Sequence, residues 1–133
     1  MLERWRPYAL WPARVWGTIV AVLMLLPQDS FPESKLLSYD KLAHLGVFFI
    51  FSILVLSGYQ LQGKLESKET DYKKLSLTIC LVFGAILEIL QQWIPGRMAD
   101  IYDLLANFLG ALFGVIVFMI FIKNKLAFEK LIL

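Results

Sequence analysis

The chain has 133 residues, of which 59% are apolar and 18% charged, with a net charge of +2 and a mean hydropathy of +0.67. Soluble domains are about 45–50% apolar and about 25% charged, so this balance excludes an ordinary water-soluble domain. No basic stripe interleaved with aromatics offers a nucleic-acid surface, and the length leaves no room for a second domain.

Taken in chain order, Arg4 and Arg6 precede an apolar run that ends near Leu26. A signal peptide would be followed by a small-x-small cleavage site, whereas Pro27, Gln28 and Asp29 follow here. The run is therefore expected to be an uncleaved first span over residues 8–26. Pro12 is tolerated in its first turn, where helix amides lack partners, and Arg14 can snorkel toward water. Residues 27–40 read as a loop, with Pro27 and Pro32 as breakers and Asp29, Ser30 and Ser38 as turn or cap residues. A second span covers residues 41–61, a charge-mixed hairpin 62–74, and a third span 75–94. Residues 95–100 form a tight turn, in which Pro95 ends one helix and Asp100 caps the next. A fourth span covers residues 101–122.

Each span reaches the roughly 20 residues needed to cross a bilayer. Their apolar pattern is continuous rather than alternating, which rules out barrel strands. The expected fold is an all-α integral membrane four-helix bundle. The single cysteine, Cys80, lies in an apolar run without zinc-type neighbours and reads as a small buried hydrophobe.

Basic residues set the expected orientation. Arg4, Arg6, Arg14, Lys64, Lys68, Lys73, Lys74, Lys123, Lys125 and Lys130 fall on one side of the four spans. Only Lys35, Lys41 and Arg97 fall on the other. Cytoplasmic loops carry the excess of Lys and Arg, so both termini are expected in the cytoplasm.

The embedded polar residues gather at the opposite end. Asp40 and His44 lie four apart at the start of the second span, and Glu88 and Gln92 four apart near the end of the third. Asp100, Asp103 and Asn107 share a face of the fourth, and Arg97 lies in the turn before it. At about 1.5 Å per residue, the set reaches about 10 Å inward. Ionisable residues at such depth cost about 2.5–3.5 kcal/mol each unless paired or hydrated, and they mark either a function or a structural pair. As structural pairing, Arg97 is expected to bridge Asp100 or Asp103, and Gln91 to serve packing. Gly110 and Gly114, with Gly84 and Ala85, are expected to bring the third and fourth helices together. The first helix is expected to contribute nothing to the cluster.

Four carboxyls, Asp40, Glu88, Asp100 and Asp103, face two fixed cations, Lys41 and Arg97, giving a net charge of −2 with His44 neutral. An anionic headgroup would need a protonated Glu88 or a divalent cation bridging carboxylates to phosphate. His44 and Glu88 are the acid–base candidates, with Asp103 orienting His44 or holding a metal. Asp40, Lys41, Gln92, Arg97, Asp100 and Asn107 are the candidate ligand-binding residues. No His-x-x-x-His spacing gives a metal signature, and no phosphate loop or serine nucleophile appears.

Asp40-Lys41-x-x-His44, Glu88-x-x-x-Gln92 and Pro95-Gly96-Arg97-x-x-Asp100-x-x-Asp103-x-x-x-Asn107-x-x-Gly110 together resemble the VanZ-like family of bacterial membrane proteins. The resemblance covers residues from about 27 to 117. It implies a bacterial inner-membrane protein linked to the cell envelope, in a family whose founding member is associated with teicoplanin resistance. From residues and resemblance together, the expected function is binding of a lipid-linked anionic molecule in the outer leaflet, with acid–base modification as an extension. The alternative is a non-catalytic scaffold or accessory subunit whose polar cluster locks the helices and which works with a membrane-protein partner. An ion pathway lacks polar residues continuing to the other side.

Overall fold

A computed structural model of the chain describes residues 2–27, 36–62 and 71–132. After a short helical turn, Leu2–Trp5, and a 3-10 turn, Arg6–Tyr8, four long helices follow: α1 (Trp11–Leu25), α2 (Leu36–Leu61), α3 (Tyr72–Gln91) and α4 (Ile101–Ile132). No strand occurs among the described residues. All four helices are long and apolar enough to cross a membrane. Asp29 and Ser30 in the first expected loop, and the hairpin lysines Lys64 and Lys68, lie outside the described residues. So does the side chain of Ser38, whose backbone belongs to α2.

The boundaries differ from the expected ones for local reasons. Helix α3 begins at Tyr72 rather than residue 75 because Asp71 caps it, its carboxylate accepting from the amides of Lys73 and Lys74 at 3.1 and 3.3 Å. It ends at Gln91 rather than residue 94. There Gln92, Trp93 and Ile94 each donate to the carbonyl three residues back, a tighter winding than the α-helix. Helix α2 starts five residues early, and α4 runs ten residues past its expected end. Its extra turns carry Lys123, Lys125 and Lys130, and a helix need not stop where the apolar stretch does.

The turn between α3 and α4 follows from two residues. Arg97 donates its amide to the Ile94 carbonyl at 3.1 Å, with Pro95 and Gly96 between them. Gly96 has φ 79°, a value that suits glycine at the third position of a type II turn after proline.

Helices α2 and α4 pack most closely. A side chain at Gly110 would enter the Leu45 carbonyl, and one at Gly114 would enter Ser52 Oγ and the Phe49 carbonyl. The glycine pair therefore seats α4 on α2, not on α3 as expected. Gly84 keeps the expected α3–α4 role, since a Cβ there would meet Asn107 Nδ2 at 3.1 Å and the Phe48 ring at 3.4 Å. Phe48, Phe51 and Phe83 form the centre of the core, with ring centroids 5.2–6.1 Å apart, and α1 covers them through Ala13, Val20 and Met24. Val22, Leu23, Ile86, Ile89 and Phe121 are exposed. In water such a surface would be a liability; around a bundle of spanning helices it is the surface lipid requires.

Candidate functional site

The end of α1, the start of α2, the end of α3 and the start of α4 meet at one end of the bundle. His44, Glu88, Asp103 and Asn107 are buried there, at 3%, 5%, 6% and 1% exposure. Three helices supply them, so no single segment of sequence contains the site. Four-residue spacing puts Asp40 and His44 on one face of α2, and three- and four-residue spacing aligns Asp100, Asp103 and Asn107 along α4.

Lys41 is the central cation. Its Nζ donates to Asp100 Oδ2 at 2.7 Å and to Asp103 Oδ1 at 2.6 Å, tying α2 to the first turn of α4. Asp100 also caps α4, because its Oδ1 accepts from the Tyr102 amide at 2.8 Å. Asp100 lies just outside the span, and its carboxyl is held below the ordinary range, first by Lys41 and then by the Tyr102 amide.

Below this pair, His44 Nδ1 faces Asn107 Oδ1 at 2.8 Å. A carbonyl oxygen only accepts, so Nδ1 carries a proton and Nε2 is the ring nitrogen turned toward the acids. His44 Nε2 stands 3.6 Å from Asp40 Oδ1 and 3.7 Å from Asp103 Oδ2. Glu88 Oε2 accepts from the Asp100 amide at 3.2 Å. Its Oε1, like Asn107 Nδ2, is buried without a hydrogen-bond partner among the described residues. Such atoms forfeit about 1–3 kcal/mol each unless something completes them.

The structure brings together Asp40, Lys41, His44, Glu88, Asp100, Asp103 and Asn107. Gln92 stands apart, exposed just beyond the end of α3, while Gln91 turns inward and donates to the Met24 carbonyl at 2.9 Å. A signal for Gln91 exists in the sequence: Ser76, Cys80, Gly84, Glu88 and Gln91 recur every three or four residues, and all are buried. Arg97 donates through Nε to the Leu26 carbonyl at 2.8 Å. The first helix thus does contribute: Gln91 and Arg97 satisfy carbonyls that the C-terminal end of α1 leaves unpaired. Backbone acceptors of this kind carry no side-chain signature, which is why sequence reasoning missed them.

Fold and site together define a multi-pass membrane protein of four apolar helices with a buried polar cluster at one end. The chain belongs to the VanZ/LLP1 family, whose family model matches residues 4–122. An uncharacterized protein of the fission yeast Schizosaccharomyces pombe is 30% identical over 88 residues, covering 65% of this chain and 51% of that protein. The chain thus spans about half the length of that relative. No solved structure matches the chain.

Proposed function

We propose that the protein binds a lipid-linked anionic molecule, with the headgroup at the polar end of the bundle and the hydrocarbon chain along its side. The observation that carries this reading is a pair of buried atoms without a hydrogen-bond partner among the described residues, Glu88 Oε1 and Asn107 Nδ2. An acceptor and a donor left open within one cluster suit a polar headgroup that supplies both. A second feature supports the lipid. An apolar groove of about 720 Å³ runs between α1, α2 and α3, lined by Leu10, Gly17, Ala21, Leu25, Phe51 and Phe83 among others. Its lining residue Leu25 lies next in the chain to Met24 and Leu26, whose carbonyls Gln91 and Arg97 hold, while on α2 and α3 the lining begins at Phe51 and Phe83, below the polar cluster.

By the positive-inside rule that end faces away from the cytoplasm, in the outer leaflet of a bacterial inner membrane. His44 and Glu88 are the groups for acid–base chemistry on the bound headgroup, should binding lead to modification.

Native mass spectrometry of the detergent-purified chain tests the binding. Added phosphatidylglycerol and farnesyl phosphate are expected to be retained over phosphatidylcholine, and Asn107→Leu and the groove-filling Ala21→Trp are expected to lower that retention at least about threefold. Equal retention of all three lipids, or retention unchanged in both variants, would remove the reading. The scaffold alternative predicts instead that His44→Ala and Glu88→Gln lower thermal stability in parallel with any loss of phenotype.

A further inference from the structure

We propose that Asp40, His44 and Asp103 hold one divalent transition-metal cation of the zinc class, with coordination positions left open to a ligand. The proposal rests on the headgroup reading for what the cation does, and on the geometry of the three side chains for its presence.

One ligand atom from each residue lies within 4.8 Å of the others. His44 Nε2 stands 3.6 and 3.7 Å from its two carboxylate oxygens. Those distances are too long for hydrogen bonds, whose N···O separations run about 2.7–3.2 Å. They lie close to the edge of a tetrahedron around zinc, about 3.4 Å when metal–ligand bonds are about 2.0–2.2 Å. The tautomer points the same way. Asn107 Oδ1 accepts from Nδ1, which leaves the buried Nε2 as the ring nitrogen that faces two carboxylates. Two carboxylates converging on one imidazole nitrogen, all within 4.8 Å, call for positive charge between them, which a bound cation supplies.

The surroundings match those of a metal site. A ligating histidine characteristically donates its other ring N–H to an acceptor, as His44 does to Asn107. Ligating carboxylates are hydrogen-bonded in turn. Asp103 gives Oδ1 to Lys41 and turns Oδ2 toward His44. Imidazole favours a zinc-class ion over calcium or magnesium, which take oxygen ligands. Three protein ligands leave a fourth position for water or substrate oxygen. Glu88 Oε1, buried at the same end of the bundle without a hydrogen-bond partner among the described residues, is available to a group bound there.

The cation would also resolve the charge problem. Lys41 is committed to Asp100 and Asp103, so the cluster has little positive charge to offer a phosphate. A divalent ion bridging carboxylates to the headgroup supplies it.

The test uses the full chain in detergent, stripped with chelator and titrated with Zn²⁺ by calorimetry, with Co²⁺ absorption as a spectroscopic check. About one equivalent is expected to bind, and His44→Ala and Asp103→Asn are each expected to weaken it at least about tenfold. Asp40→Asn, at a partly exposed position away from the Lys41 bridge, serves if Asp103→Asn does not fold, and is also expected to bind more weakly. No stoichiometric uptake by the wild-type chain, or uptake unchanged in His44→Ala and Asp40→Asn, would overturn the site. Farnesyl phosphate retention is then compared between zinc-loaded and stripped protein. Zinc uptake without lipid retention upholds the metal site and removes the headgroup reading, whereas retention without zinc uptake does the reverse.

Discussion

Lys41 shows how one side chain can organise a polar end. Two carboxylates from the first turn of α4 converge on its ammonium, and one of them also caps the helix. Arg97 was the expected partner of these acids; its turn position instead brings its Nε to the end of α1. Asp100 has a consequence for acid stability. A carboxyl held below its ordinary range stabilises the fold above its unfolded value of about 3.9 and loses that contribution as pH falls through the folded value. Asp100→Asn is therefore expected to lower the thermal midpoint at pH 6 and to flatten its decline between pH 5 and 3. Differential scanning fluorimetry in detergent reads both. Because Asp100 is partly exposed, solvent screening keeps the effect small. A midpoint at pH 6 unchanged by the substitution would deny the carboxylate this role.

Helix α4 is seated on its neighbours through small residues, whereas large rings fill the core between α1, α2 and α3. In lipid, helices gain nothing from excluding water, so close backbone contact and buried hydrogen bonds hold them. Gly110 and Gly114 place α4 against the carbonyls of Leu45 and Phe49. That approach sets the height at which Asn107, one turn above Gly110, meets His44. Gly110→Ala is expected to destabilise by about 1–3 kcal/mol, as overpacking does, and to weaken ligand binding with it. Gly46→Ala is the control, since a Cβ there meets nothing within 4 Å; its midpoint is expected to stay near wild type. Thermal unfolding of the two variants side by side decides it. The α3–α4 turn was legible in Pro95-Gly96, because proline and a positive-φ glycine have few other uses together. The end of α3 was not. Four-residue spacing favours Glu88 with Gln92, but the helix tightens after Gln91 and carries Gln92 outward.

At the scale of the whole molecule, the distribution of Lys and Arg sets the expectation that the polar end faces away from the cytoplasm. Met98, in the turn at that end, is 85% exposed, and the native Cys80 is buried. Met98→Cys is therefore expected to react with a membrane-impermeant maleimide added to intact cells, while the wild-type chain stays unlabelled. Labelling only after the membrane is opened would invert the topology and put the ligand on the cytoplasmic side.

The sequence by itself determined four spans, their helical character and the end at which polar residues collect. Hydropathy is additive along a chain, and a bilayer demands about 20 apolar residues whatever their neighbours. Spacing along one helix likewise settled which of Asp40, His44, Asp100, Asp103 and Asn107 share a face. Only the tertiary structure decided what these residues meet: that Lys41 holds the two aspartates, that His44 turns Nε2 toward two carboxylates, and that α1 closes the site through its carbonyls. Those facts depend on the rotation and height of each helix against the others. They are set by glycine contacts and backbone acceptors that leave no periodic mark in the chain.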